Sequence, residues 1–273
     1  MIELSNIDST DRVADWVELY VIYEYETLSK SEIASNIRAG GREPSEIEID
    51  SVLAELERRE QLYGSTPPFE VGDNVVVPKI NWSECPGYAM CLIYSMQGVK
   101  DTADEGTKLF ERLSSEALRS YLGGETIVIG FPSSAGLKEQ VISIASKCKE
   151  PLGGRDPTSD DKDRGVDVVG WKPYKDARNS QVVVLMQCAA GKHWRNKKQI
   201  PLKSWKEFIH WGFSPITGIA IPQIASLDAW NNIVDEYGFI VDRVRIFRSI
   251  HNYTFEDSDL RNDVLSWCES KLD

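Results

Sequence analysis

Gly165–Trp171 reads GVDVVGW and Val182–Cys188 reads VVVLMQC. Both runs are rich in β-branched residues and nearly free of polar ones, the composition of short strands buried on both faces. Each carries one side chain that a core does not welcome: Asp167 between Val166 and Val168, and Gln187 after Met186. An ionised carboxylate in such a strand is costly unless it meets a cation or hydrogen-bond donors. Two oxygen-bearing side chains on paired central strands can converge on one hard divalent ion. The two stretches therefore predict a sheet-centred α/β fold with a site built into the sheet.

The flanking sequence supplies the other layers. In Gly106–Leu122, Leu109, Phe110, Leu113, Ala117, Leu118 and Tyr121 fall on one broad helical face, with Glu111 near the start. TIVIGF (126–131) reads as a strand and LKEQVISIASKC (137–148) as an amphipathic helix. A polar loop follows, in which Asp163 reads as a solvent-facing or Asx-turn residue. Downstream, ITGIAIPQ (216–223) reads as a strand, SLDAWNNIVDEYG (226–238) as a helix and FIVDRVRIF (239–247) as a further strand. DSDLRNDVLSWCESKL (257–272) closes the chain as a capped amphipathic helix. This alternation suits an α/β core and brings no separate catalytic motif. No GxxxxGK[ST], GxGxxG or GxSxG is present, which speaks against nucleotide hydrolysis and a serine nucleophile.

Immediately after the second strand comes KHWRNKKQIPLKSWK (192–206), with Lys192, Arg195, Lys197, Lys198, Lys203 and Lys206, no acid, and Trp194 and Trp205 interleaved. Most charge runs are solvated surface. This one adjoins the odd polar strand residues, and its composition suits a phosphate backbone with aromatic rings packed or stacked beside it. Lys192, His193, Arg195, Lys197, Lys198 and Lys203 are the expected nucleic-acid contacts.

Phe110–Glu111, Gly165–Val168 and Gln187–Cys188 together resemble the PD-(D/E)xK nuclease superfamily, most closely its Mrr-like restriction endonuclease branch. That branch shows a helix with a Phe-Glu pair, a strand reading G-V-D-V and a strand reading Q-C-K, in this order. The resemblance covers roughly residues 104–250 and implies a restriction-endonuclease-like mixed central sheet flanked by helices. It implies a divalent-metal-dependent DNA nuclease, an effector of bacterial restriction or phage defence. Asp167, Gln187 and Glu111 would hold Mg2+ or Mn2+. Where the branch has its Lys, this chain has Ala189; Lys192 is the expected replacement, brought back by a turn at Ala190–Gly191. The alternative is a catalytically lapsed nuclease fold that serves as a nucleic-acid-binding or scaffold subunit.

The front third is a different kind of sequence. Of the net charge of −12, residues 1–90 hold eighteen acids against seven bases, and the remainder is nearly balanced with twenty-five against twenty-four. Val13, Trp16, Val17, Tyr20 and Val21 predict a helix over 10–27. SKSEIASNI (29–37) predicts a short helix with a Ser-Glu capping box. In SEIEIDSVLAELERRE (45–60), Ile47, Ile49, Val52, Leu53 and Leu56 predict a third helix, and FEVGDNVVVP (69–78) predicts a hairpin around Gly-Asp-Asn. Three helices and a small hairpin resemble a winged helix-turn-helix, so a small winged-helix-like domain is expected over 1–80. A connector over 81–103 and the nuclease-like domain over 104–273 would follow.

The third helix would be the DNA reader. It carries Glu46, Glu48, Asp50, Glu55, Glu57 and Glu60 against Arg58 and Arg59 alone, and such a surface repels phosphate. It favours a protein contact, either a second copy of the chain or a partner with a basic surface. Five cysteines without a CxxC pair read as reduced thiols. The opening residues lack a cationic-then-apolar leader, and no apolar stretch is long enough to cross a bilayer. A cytoplasmic protein with no membrane partner is expected.

Overall fold

The structure, a computed structural model, describes residues 9–97, 105–129, 136–191 and 193–272. The chain forms two compact units: residues 1–98 together with 261–273, and residues 99–260. The closing helix, Leu260–Leu272, thus groups almost wholly with the first unit, although its place in the sequence follows the second.

In the first unit, α1 (Thr10–Glu24) buries Val13, Trp16, Val17 and Val21. It stops where Tyr25 takes a left-handed conformation at φ 56°. A two-residue strand that the sequence did not signal, β1 (Leu28–Ser29), leads into α2 (Lys30–Ala39). The predicted capping box is present: the Ser29 hydroxyl accepts from the Glu32 N–H, and the Glu32 carboxylate accepts from the Ser29 N–H. α3 (Glu46–Tyr63) buries Ile49, Val52, Leu53 and Leu56, whereas Ile47 is 79% exposed. Residues 49, 52, 53 and 56 share one helical stripe, and position 47 lies about 200° from position 49 around the helix. β2 (Phe69–Gly72) and β3 (Val75–Pro78) pair antiparallel around Asp73–Asn74, with Asn74 at φ 62°. Leu28 pairs with Val76, giving a three-stranded sheet ordered β1-β3-β2.

The expected connector instead contains α4 (Pro86–Gln97), buried along almost its whole length. Its residues are apolar all round, so no amphipathic stripe announces it. Within the same unit the Tyr94 ring stacks on Trp267 of the closing helix, centroids 4.9 Å apart. The Cys268 thiol faces the Pro86 carbonyl.

A polar network also runs through this unit. The buried Arg59 guanidinium donates to Asp15 and Glu18 at 2.7 Å each and to Glu55 at 2.6 Å. Tyr88 donates to Glu18 and Ser95 to Asp15.

The second unit is a mixed sheet flanked by helices. Its elements run α5 (Glu105–Leu122), β4 (Glu125–Val128), α6 (Leu137–Cys148), β5 (Val168–Lys172), β6 (Val182–Cys188), α7 (Leu202–Phe208), β7 (Ile216–Ala220), α8 (Leu227–Tyr237), β8 (Phe239–Val241) and α9 (Arg243–Ile250). The strand order is β4-β5-β6-β7-β8. β4, β5 and β6 pair antiparallel, while β6, β7 and β8 are parallel, each crossover carried by a helix. Val169, Trp171, Val183 and Leu185 form one core with α6 and α7, including Ile144, Trp205 and Phe208.

Phe239–Phe247 is not one strand. Asp242 ends β8 and caps α9, its carboxylate accepting the Arg245 N–H at 3.1 Å. An Asp three residues before the helix's free N–H is a start signal that the apolar spacing of FIVDRVRIF conceals. The five cysteines are all free. Among the described residues no helix is long and apolar enough to cross a membrane.

Candidate functional site

Asp167 stands one residue before β5, where the polar loop enters the sheet. Its backbone already belongs to the ladder: its N–H donates to Met186 O at 3.0 Å, and Ile129 N–H donates to its carbonyl at 2.7 Å. Its side chain does something less ordinary. The carboxylate accepts the backbone N–H of Cys188, on the neighbouring strand, at 2.6 Å. This bond ties the acid to the end of β6, beside Gln187. Val168 pairs with Met186, so one step back along the ladder brings Asp167 opposite Gln187.

Gln187 is buried near the end of β6. Above it passes Gly165, at φ 72°; a Cβ there would stand 3.3 Å from the Gln187 amide nitrogen. The loop covers the glutamine closely at a residue whose left-handed backbone glycine tolerates. Asp163 accepts the Gly165 N–H at 2.8 Å, the Asx turn expected of it. Asp161 anchors the loop just ahead of Asp163. Burial opposes its ionisation, but the Thr158 N–H and the Arg164 and Arg155 guanidinium groups outweigh burial and hold its carboxyl well below the usual range.

Glu111 comes to the same end of the sheet from α5. That helix lies close over β5 because Gly170 carries no Cβ; one would meet the Leu118 side chain at 2.6 Å. Burial pushes the Glu111 carboxyl up to about 7, with the charges of Asp167 and Asp163 adding to it and those of Lys108 and Lys197 opposing. Burial likewise pushes Asp167 up to about 6; Asp163 adds to the shift, while the Cys188 N–H and Lys197 pull it down. The Asp167 charge thus adds to the shift of Glu111, and Asp163 acts on both carboxyls. The Cys188 thiol is raised far above its ordinary value, first by burial and then by Asp167 and Glu111. It is a packed thiol, not a nucleophile.

Ala189, where the resemblance calls for a lysine, is sealed in an apolar cluster with Trp194, Ile219 and Ile221. Lys192 lies outside the described residues. Among the described residues, the lysine whose charge reaches Glu111, Asp167 and Cys188 alike is Lys197. The sequence reading held Lys197 only as a phosphate contact, because Lys192 stands nearer position 189 along the chain. The loop that bears it is pinned from behind: the Tyr237 hydroxyl donates to the carbonyls of Arg195 and Lys197 at 2.9 and 3.1 Å.

Of the expected nucleic-acid contacts, His193, Arg195, Lys197, Lys198 and Lys203 are all exposed. Trp194 and Trp205 are buried, the first against Tyr237 and the second against Phe208, so both rings pack and neither offers a stacking face. The Arg195 guanidinium lies 4.8 Å from the Trp194 ring.

Asp167 and Glu111 offer two carboxylates raised by burial, the second also by the charge of the first, and Gln187 offers an amide. That donor set suits a hard, oxygen-seeking ion such as Mg2+ or Mn2+. Among the described residues no cluster of three or more His, Cys, Asp or Glu side chains is placed to hold a metal, and the third ligand here would be the neutral amide. Comparison with family models, with curated proteins and with solved structures gives no match.

Proposed function

We propose that this chain is a divalent-metal-dependent nuclease that hydrolyses phosphodiester bonds in DNA. One observation carries the reading: Asp167 and Glu111, from a strand entry and a packed helix, meet at one sheet end with carboxyls raised to about 6 and 7. Drawing two like charges partly out of water without a bound cation has no stabilising purpose, and carboxyls shifted in this way are functional far more often than ordinary surface acids.

Asp167 and Glu111 would hold the ion, with the Gln187 amide oxygen as a neutral third ligand. A divalent ion supplies a polarised phosphoryl oxygen and a bound water of lowered pKa. The chain's own residues provide the rest. The Cys188 N–H holds one oxygen of Asp167, and the other would be available to the ion. Lys197 brings positive charge to where negative charge builds on the phosphoryl group. Arg195, Lys198 and Lys203 line up as solvent-facing cations for the flanking phosphates.

The first unit supports a regulatory or recruiting role. Its helix, short strand, helix, helix and hairpin resemble a winged helix, which we read as a protein-contact module. Arg59 is consumed by Asp15, Glu18 and Glu55, and Arg58 by Glu55. The exposed face of α3 presents Glu46, Asp50 and Glu57, a surface for a basic partner or a second copy. A nuclease under such control fits an effector of restriction or phage defence.

A second reading, a lapsed nuclease that binds nucleic acid or acts as a scaffold, draws on the apolar burial of Ala189. The deciding experiment incubates supercoiled, linear and single-stranded DNA with the full chain in Mg2+, Mn2+ or EDTA, beside Asp167→Asn and Glu111→Gln. Metal-dependent cutting lost in both variants supports the nuclease. DNA retention without cutting in any metal supports the scaffold.

A further inference from the structure

Ten residues beyond Glu111, about 15 Å along the helix, α5 ends beside β8 and α9 around a cleft of about 570 Å3. This volume lies in the range of small-molecule sites. Its walls combine two chemistries. Tyr121 and Phe239 supply rings 5.2 Å apart, and the Tyr121 ring is held on one side by its neighbour while 65% of the residue remains exposed. Arg245 and Arg248, one turn apart on α9, supply two guanidinium groups on the same helical face.

The cleft is held in shape from within. The Arg245 guanidinium donates to Ile240 O at 2.6 Å and sits 4.8 Å from the Trp230 ring, so its place is set before any ligand arrives. The Ser120 hydroxyl donates to Ser249 O at 2.6 Å and ties the end of α5 to α9 beneath the rings. An exposed aromatic face takes a planar heterocycle, and paired arginines take phosphate oxygens. Neither feature contributes to the Asp167 site, and the cleft lies wholly within the second unit.

We propose that this cleft binds a nucleotide, its base against Tyr121 and its phosphate against Arg248 and Arg245. The same chemistry is offered by a free mononucleotide and by an unpaired nucleotide within single-stranded DNA. Calorimetric titration of the full chain in EDTA, where metal-dependent cutting is silent, separates the two sources. The probes are dAMP, deoxyadenosine, inorganic phosphate and a short oligodeoxyadenylate.

The expected result is saturable binding of dAMP, with deoxyadenosine and phosphate each at least about tenfold weaker. Arg248→Gln and Tyr121→Ala, both at exposed positions, are each expected to weaken dAMP about tenfold with the unfolding temperature unchanged. Tighter oligonucleotide binding, lost in the same two variants, assigns the cleft to a strand; dAMP binding as tight or tighter assigns it to a free nucleotide. Asp167→Asn leaves the titration unaltered, so the result stands apart from the fate of the nuclease reading. Absence of dAMP and oligonucleotide binding at millimolar concentration overturns the proposal. Binding that survives both substitutions overturns it too.

Discussion

The Asp167 carboxylate accepts the backbone N–H of Cys188 at 2.6 Å, so an acid at the mouth of one strand is fastened to the end of the next. One carboxylate oxygen is thereby spent on geometry, and the remaining charge lies in the field of Asp163 and in turn raises Glu111. Asp167→Asn keeps an oxygen for Cys188 but removes the charge. In EDTA at about pH 7.5 its stability is expected to equal or exceed that of the wild type, because like-charge repulsion is relieved. The same variant is expected to lose Mn2+ binding, measured by calorimetry. A stability loss above about 2 kcal/mol in urea titration would mark the carboxylate as structural and count against the metal site.

The pH dependence follows from the same pair. Glu111 and Asp167 are raised above ordinary carboxyl values, to about 7 and about 6. The folded chain therefore holds these protons longer than the unfolded chain does. Their contribution to stability is full below about pH 4, where both states are protonated, and declines as pH rises through about 6 and 7. Asp161, held low, acts in the opposite sense: its contribution is full above about pH 4 and is lost as pH falls further. Thermal unfolding in EDTA between about pH 5 and 7.5, repeated in Glu111→Gln, isolates the first effect. Mn2+ affinity is expected to rise across the same interval, because the ion displaces protons. An affinity flat over that range would exclude Glu111 and Asp167 as its ligands.

Asp167 and Gln187 were legible because each breaks an apolar strand, and a lone polar residue in such a run has few structural explanations. Glu111 was legible only through its Phe-Glu neighbour, since nothing in an amphipathic helix singles out one acid of several. The expected helices over 106–122 and 137–148 are α5 and α6 to within a residue, because their apolar stripes are clean. α4 was hidden for the opposite reason: a helix apolar on every side has no stripe. β1 is too short to have a period. Lys197 was not singled out from its neighbours in the sequence because charge is felt through space. The bend at Trp194–Asn196 that sets its reach is a short 3-10 turn with no sequence signature.

The Arg59 network makes a prediction for the first unit. Arg59 is 2% exposed and shared by Asp15, Glu18 and Glu55. Arg59→Met removes the guanidinium common to two buried carboxylates, and an uncompensated buried charge costs about 3–5 kcal/mol. Urea unfolding followed by circular dichroism is expected to show a loss of that size. Adding Asp15→Leu and Glu18→Leu is expected to recover most of it, since apolar replacement of a buried ionic group is often neutral. A loss below about 1 kcal/mol in Arg59→Met would mean that water reaches the network.

The last prediction concerns which lysine serves the site. A lysine placed at 189 would project into the cluster of Trp194, Ile219 and Ile221 that now seals Ala189 at 1% exposure. Desolvating an ammonium group there is expected to cost about 2 kcal/mol or more. Ala189→Lys should therefore lower the unfolding temperature without raising the cleavage rate, even though it restores the residue that the strand pattern calls for. Lys197 is exposed, so Lys197→Ala should leave folding and Mn2+ binding intact. If its charge stabilises the phosphoryl transition state, the variant is expected to cut DNA about 100-fold more slowly. Lys198→Ala, one residue further on, would remove only a proposed phosphate contact and is expected to weaken DNA binding and its salt dependence with the turnover rate preserved. Equal rates in Lys197→Ala and the wild type, measured at saturating DNA and metal, would strip Lys197 of that role.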